Sequence, residues 1–559
     1  MWFKNNHKTN RLLAPEVQTE YGKICGKNYI LPDGKVFNVF LGIPYAKPPI
    51  NELRFEKPIP PEPWKGCLYA TKYKSRSIQK DFIWDLLELK VGKSEDCLYL
   101  NIMTPEICDK KNIVSKDVIF VTLQYRLGYL GFFTTDDEIS IGNYGIWDQY
   151  MALKFIKDNI SNFGGDSENI TVLGQSAGAV SVDLLSLSPY SRDLFSKMIL
   201  MAGNAETMWS VSPRCRVAKN CREKAVQLGF KKPSKGIKWT KEDNKALLKF
   251  MKSIPANKLG LTMVGSTNIF ESIQLPVTPV IDGDFFPKTL IELRKEAPKK
   301  LIIAGDCEWE GLLFLALGLK RIDQNLLQFV KHRASTIIME GNKMVEKSEQ
   351  MSFESFENLY SLNNEKLTKK ELQKVVVKMI GDTVSGIALQ NFIQQVNDQG
   401  STVYTYNFQH HNSQSMQGIS YYLPFSGATH CSEINSLFDI NMFVAPYIRT
   451  TKDKKVTNII STLFTNFSKS GNPNGTEAFP SSLNFEFNWE PINSKQILSQ
   501  KCLLIKSEPK IEERKKETER LLAPSKHFSA IHNWMTIAKE DEYNEFSIRT
   551  KAMEPSGTR

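Results

Sequence analysis

ITVLGQSAGAVSVDLLSL, residues Ile170–Leu187, passes from a β-branched apolar run through a glycine-flanked turn into an apolar segment of helix length. The run Ile170–Leu173 lies between Asn169 and Gly174 and reads as a short buried strand. A strand that enters a helix through Gly174-Gln175-Ser176-Ala177-Gly178 is the context in which G-x-S-x-G carries chemistry. Gly174 and Gly178 leave room for a sharp turn with a strained central residue. Such a turn lifts the Ser176 hydroxyl clear of the sheet and aims the first N–H groups of the helix at whatever Ser176 attacks. Five residues alone also fit an ordinary strand–helix turn with a structural serine. The flanking strand and helix favour the nucleophile.

Outward from this stretch, the 559-residue chain is long enough for a large core, and sheets of the α/β class often stay in one piece at this size. Hydrophobic content of 41% and charged content of 24% are ordinary for a globular protein, which excludes a disordered or fibrous chain. No window is long and apolar enough to span a membrane; the clearest apolar run, Leu312–Leu319, reads as a core helix or strand. The first sixteen residues contain no apolar leader core, so a cytoplasmic protein is expected. The net charge of +11 is spread along the chain and interleaved with acids, as in Lys510–Arg520, KIEERKKETER. That pattern describes a solvated helix face, and no nucleic-acid partner is expected. Nine scattered cysteines without a C-x-x-C suggest neither zinc nor a disulfide framework, and reduced thiols are the expectation. Sequons at Asn159, Asn169, Asn466 and Asn474 would then go unused.

From Pro15 the text alternates in short β-like runs, with Asp33-Gly34 as a hairpin turn. Three prolines among Pro44–Pro49 forbid helix and central strand there. Val118–Leu123 is a continuous apolar run, expected of a strand buried on both faces. Ile146, Tyr150, Leu153 and Ile156 have helical spacing; Phe195–Ala202, Lys300–Ala304 and Tyr404–Phe408 read as further strands. Lys343–Lys378 is polar and helix-prone. This alternation predicts an α/β fold: a mostly parallel central sheet with helices on both faces. After Lys539 the text turns polar and patternless. The expected organisation is an N-terminal extension over 1–14, one domain over 15–539, and a disordered tail over 540–559.

The specific blocks FLGIPYAKPP (Phe40–Pro49), SEDCLYLNI (Ser94–Ile102), YRLG (Tyr125–Gly128), GNYG (Gly142–Gly145), FGGD (Phe163–Asp166), GQSAG and GNP (Gly471–Pro473) stand in one order. Together they resemble the type-B carboxylesterases, the family that includes the cholinesterases and the non-catalytic neuroligins. The resemblance covers about Pro15–Trp534 and implies an α/β-hydrolase fold, an ester substrate and a Ser–acid–His triad in that chain order. A serine hydroxyl needs a base oriented by an acid. Of the histidines between Ser176 and the C-terminal region, His332, His410, His411 and His430, only His430 lies in a glycine-bearing turn before a helix, GATHCSE (Gly427–Glu433), like the family's histidine loop. For the acid, the residues leave Asp306, Glu308 and Glu310 open. The family's glutamate before a glycine selects Glu310. The implied set is Ser176, Glu310 and His430, with the Ala177 N–H in the oxyanion hole, a small carboxylic ester as substrate, and no cofactor or metal.

Two departures from the family pattern stand out. The family pairs the cysteine of its EDCLYLN block with an earlier cysteine. Here Ser77 stands in that place, and Cys97 loses its partner. The second departure lies between Asn101-Ile102 and Tyr125-Arg126. There the family carries a strand ending in an HGGG-type loop that supplies most oxyanion donors, and roughly 30 residues of that pattern are absent. Three readings compete: a serine esterase with impaired turnover, a non-catalytic binding protein on the same fold, and an incomplete form of an active esterase. The substrate and the oligomeric state are not legible.

Overall fold

The computed structural model describes residues 14–30, 36–81, 91–105, 118–261, 275–317, 322–362, 367–416, 423–438, 448–492, 498 and 500–552. Its strands, in chain order, are β1 (Glu16–Thr19), β2 (Gly22–Cys25), β3 (Lys27–Ile30), β4 (Val36–Pro44), β5 (Cys67–Tyr69), β6 (Tyr99–Pro105) and β7 (Phe120–Leu123), then β8 (Thr171–Gln175), β9 (Lys197–Met201), β10 (Leu301–Cys307), β11 (Thr402–Phe408), β12 (Lys501–Ile505) and β13 (Lys510–Glu513). The helices that position the site are α1 (Tyr144–Asn159), α2 (Ala177–Leu187), α3 (Gly311–Leu317), α4 (Ser432–Phe438), α5 (Thr451–Ser470), α6 (Lys515–Ile537) and α7 (Glu540–Ala552).

The strands β8 to β12 form the parallel sheet that the alternating text predicts, extended by antiparallel β13, in the order β13-β12-β11-β10-β9-β8. Every residue of β9 is buried, and β10 to β12 are buried along most of their length, which is why they read as unbroken apolar runs. On one face α1 and α2 cover β8 and β9 through Ile146, Leu153, Val180 and Leu184. On the other, α5 packs Ile460, Leu463 and Phe467 against Ile199, Ile303 and Tyr404. Helix α3, expected as a core element from Leu312–Leu319, is buried at every residue from Gly311 to Leu317.

Two smaller sheets flank this one, β1-β2-β5 and β3-β4-β6-β7. The β4–β6 ladder breaks register between Leu41 and Ile43, where Gly42 takes φ 76° and donates its N–H to Asn101 Oδ1 at 2.9 Å. The YRLG and GNYG blocks act here as clamps: Arg126 donates three hydrogen bonds to the buried Asp148, two from its guanidinium and one from its backbone N–H, and Asn143 ties α1 to Val280 and Asp282.

The structure departs from the sequence reading in four places. First, β7 and β8 were expected to be buried on both faces, yet all four β7 residues and all of β8 but Gly174 are only half-buried. The cause is topological: among the described residues β7 pairs only with β6, and β8 only with β9, so each ends its sheet. Second, residues 540–552 form helix α7 rather than a patternless tail. Its Phe546 ring lies 5.0 Å from that of Trp534 in α6 and packs on the cluster around that helix, so one aromatic contact between successive helices orders a segment that looks polar in the text. Third, of the two glycines read as leaving room for the turn, only Gly174 is held there by close contact: a methyl on it would collide with the Gly178 carbonyl oxygen at 2.2 Å, whereas one on Gly178 would meet nothing within 4 Å. Fourth, reduced thiols fail at Cys25 and Cys67, which are bridged across the neighbouring strands β2 and β5 with Cα atoms 6.0 Å apart.

Ser77 does stand against Cys97, Oγ to Sγ at 3.3 Å, and Cys97 is a buried free thiol. The four sequon amides are all used internally: Asn159 donates to Phe155, Asn169 to Lys469, Asn466 to Pro473 and Asn474 to Trp489. The Asp33-Gly34 turn, most of the 1–14 extension, the far end 553–559 and the junction Cys108–Lys116 lie outside the described residues. No helix among the described residues is long and apolar enough to cross a membrane.

Peptide mapping without reductant should recover Cys25 and Cys67 in one linked pair and Cys97 unlinked. Reduction should lower unfolding stability by roughly 2–4 kcal/mol, since the bridge closes a long loop. Free thiols at both Cys25 and Cys67 in oxidised protein would restore the reduced reading.

Candidate active site

Strand β8 delivers Ser176 to its C-terminal end, where the chain turns into α2. Ser176 has φ 56° and ψ −123°, outside the regions open to most non-glycine residues. A conformation of this kind costs on the order of 1–3 kcal/mol and persists only where its surroundings impose it. They do so here by close backbone contact. Ser176 N–H donates to Met201 O at 2.8 Å, and a methyl on Gly203 would meet Ser176 O at 2.5 Å. The result is a half-buried hydroxyl beside the exposed N-terminus of α2, where Ala177 presents an N–H with no intrahelical acceptor.

The loop after β10 brings in the acid. Glu310 is buried, and its two oxygens are divided: Oε1 accepts the Cys307 N–H at 2.6 Å and Oε2 meets His430 Nδ1 at 2.5 Å. The competing carboxylates are elsewhere. Asp306 is bound by Asn407 Nδ2 at 2.8 Å, and no hydrogen bond joins Glu308 to His430. The histidine loop is pinned to the same turn, with Trp309 N–H donating to Ala428 O and Leu313 N–H to Thr429 Oγ1, both at 2.8 Å. Burial alone would lower the His430 pKa. The interactions with Cys431 and Glu310 overcome it and hold the imidazole well above its ordinary value.

Glu310 and His430 are therefore joined, while Ser176 and His430 are not: among the described residues no hydrogen bond links Ser176 Oγ to the imidazole. His430 Nε2 instead faces the Gln175 side-chain amide at 3.3 Å. His410, one of the rejected candidates, is bound to Asp453 at 2.7 Å near the start of α5.

The sequence reading missed a second buried carboxyl. Glu433, three residues beyond His430, accepts the Cys307 thiol at 2.7 Å, and its other oxygen has no partner. Burial, and then the charge of Glu310, push it up to about 7. The i, i+3 spacing from His430 at the head of α4 was a signal that could have found it. Cys431 between them has φ 72°, a left-handed backbone that turns both side chains inward.

Comparison with known proteins gives the family of the chain. A profile of the carboxylesterase family matches residues 13–112 and 106–522. The chain belongs to the carboxylesterase family. It is 32% identical to esterase cest-33 of Caenorhabditis elegans over 514 residues, covering 83% of this chain and 88% of that protein. It is 31% identical to gut esterase 1 of the same organism over 503 residues, covering 82% and 85%. Carboxylesterase 5A of Mus musculus is 31% identical over 522 residues, 83% of each chain. Membership places the chain among carboxylic ester hydrolases of the α/β-hydrolase fold.

The buried carboxyl gives this carboxylesterase a pH signature. Because the folded pKa of Glu433 is raised, the native state holds a proton that the unfolded chain releases near its ordinary 4.5. Its stabilising contribution is complete below that value and disappears as pH rises through about 7. Glu433→Gln should therefore flatten the fall in stability between pH 5 and 8, leaving the variant ahead at pH 8 by a few kcal/mol. Urea titrations at both pH values measure this. Parallel curves for the two proteins would show that Glu433 is ionised in the fold.

Proposed function

We propose that this carboxylesterase hydrolyses small carboxylic esters through Ser176, His430 and Glu310, and that it turns them over slowly. The observation that carries the reading is the buried Glu310–His430 pair beside a serine held in a strained turn at a helix N-terminus. Glu310 holds the Nδ1–H, so Nε2 is the nitrogen that serves as base once it has released the proton that the raised pKa of His430 otherwise keeps on the ring. When an ester enters, Nε2 leaves the Gln175 amide and takes the Ser176 proton as Oγ attacks the carbonyl carbon. The tetrahedral oxyanion lies at the head of α2, near the Ala177 N–H. His430 then protonates the departing alkoxide, and water repeats the sequence on the acyl-serine.

Slow turnover follows from the donor count. Each missing oxyanion donor costs about 2.7–4 kcal/mol, or about 10²–10³ in rate, and Ala177 alone replaces a set. Two observations support the reading that a strand-and-loop segment has been left out. The family match falls in two stretches that meet at 106–112, and the two sheets end at the half-buried strands β7 and β8. The same observations favour the incomplete esterase over a non-catalytic binding protein, since the acid–base pair is intact.

Cytoplasmic residence, expected from the sequence, sits poorly with the Cys25–Cys67 bridge. A persistent disulfide of this kind belongs to an oxidising compartment.

A fluorophosphonate probe should label Ser176 and no other residue. Ser176→Ala should abolish the label, and Glu310→Gln should slow it far more than Glu308→Gln; the reverse ranking would move the acid to Glu308. Hydrolysis of a phenyl ester should be at least about 10²-fold below that of a chain carrying a family strand and glycine loop grafted between Asn112 and Ile113. Ordinary enzymatic turnover by the ungrafted chain would overturn the account of the missing donors.

A further inference from the structure

The charge of the chain is less evenly spread than the mixed signs of Lys510–Arg520 suggest. Residues 214–258 carry fourteen Lys or Arg and three Asp or Glu, so this segment holds the whole net charge of +11 and the rest of the chain is neutral. It folds as two helices, Arg214–Gln227 and Lys241–Ser253, joined by a loop. Val217, Cys221, Phe230, Leu247 and Met251 bury one shared apolar cluster between them. The three arginines are used inside the fold: Arg214 donates to Asp137 O, Arg216 to Leu275 O and Arg222 to Thr135 O. Of the acids, Asp243 is buried and accepts the Ser234 and Thr240 N–H groups. What faces water is lysine. Lys241, Lys245 and Lys249 follow one stripe of the second helix, away from Leu247 and Met251, and Lys235 and Lys238 stand on the loop. Lys241 reaches Glu138; among the described residues the other four make no ion pair.

Among these lysines, at the tip of the loop, stands Ile237, whose exposure is 100%. The loop is built to hold it out. Lys232 Nζ donates to Gly236 O at 2.5 Å and to Lys238 O at 2.6 Å, the carbonyls on either side of Ile237. Ser234 ties the loop to the second helix, its N–H and hydroxyl donating to Asp243 at 3.0 and 2.7 Å. Lysines around one projecting apolar side chain complement a surface that is anionic outside and apolar just beneath, which describes an acidic phospholipid bilayer. Nucleic acid is the poorer match. Lysine is a hydrated point charge without the fork that pairs with phosphate, and Trp239 is stacked on the buried Phe230, centroids 6.1 Å apart, rather than free to stack on a base. We propose that the loop 231–240 and the lysine stripe of the helix after it form a docking surface for anionic lipid bilayers, with Ile237 entering the interface. The inference does not depend on the catalytic reading.

The test sediments the full chain with vesicles of phosphatidylcholine, alone or with about one-third phosphatidylserine. Phosphatidylserine should raise the partition coefficient at least about tenfold, and high salt should return it to the phosphatidylcholine level. Ile237→Ser should lower it at least about threefold with an unchanged unfolding midpoint, because the side chain touches nothing in the fold. Lys235, Lys238, Lys245 and Lys249 changed together to Gln should lower it at least about tenfold. Ile448→Ser, at an exposed isoleucine elsewhere, should change nothing. Equal partition to the two vesicle types, or full binding by Ile237→Ser, would overturn the inference. So would an RNA that binds while the vesicles do not, and that the lysine variant loses and Ile237→Ser keeps, since nucleic acid would then be the occupant.

Discussion

A backbone amide that leaves water must find a partner, and this requirement organises both what is complete in the molecule and what is open. Burial without a partner costs about 1–3 kcal/mol per group, against a total stability of only about 5–15 kcal/mol. Strands β9 to β12 meet the requirement by pairing on both edges, and they are buried along most of their length as a result. Strands β7 and β8 have the same apolar composition but one free edge each, and the fold leaves them half-wet. The exposure of Val121 or Val172 is therefore a consequence of connectivity and not of residue choice.

The same requirement builds the candidate site. Ser176 holds its left-handed backbone because its N–H is committed to β9 and its carbonyl is pressed against Gly203. Glu310 keeps its carboxylate in the core because every oxygen is answered, one by the Cys307 amide and one by His430. Glu433 is the contrast: one oxygen has the Cys307 thiol and the other has nothing, and it answers burial by holding a proton. Two carboxyls a few residues apart in space thus take opposite roles, decided by how many donors reach each of them.

Legibility in the sequence followed locality. The α/β class and the bounds of β9 to β11 could be read because buried parallel strands leave apolar runs. Ser176 was legible because its constraint is contained in five residues. Glu310 needed the family resemblance, since Asp306, Glu308 and Glu310 differ only in where a loop points them. What the text hid was pairwise and distant: the Cys25–Cys67 bridge spans 42 positions, and the Gln175 amide on His430 spans 255. Helix α7 was hidden for a subtler reason. Its order comes from Phe546 finding Trp534, and a polar stretch with one well-placed aromatic resembles a tail until its partner is known.

The placement of β8 at the end of its sheet ties fold to the candidate site. Among the described residues β8 has a sheet partner on one edge only, β9, and the first N–H groups of the helix after Ser176 lie at the end of that same strand. That helix exposes Ala177 and leaves Gly178 facing empty space. Glu310 and His430 hang instead from the loops after β10 and before α4 and depend on bonds among themselves. The Glu310–His430 pair and the Ser176 turn are thus anchored to different strands, β10 and β8, and each is held by its own set of bonds.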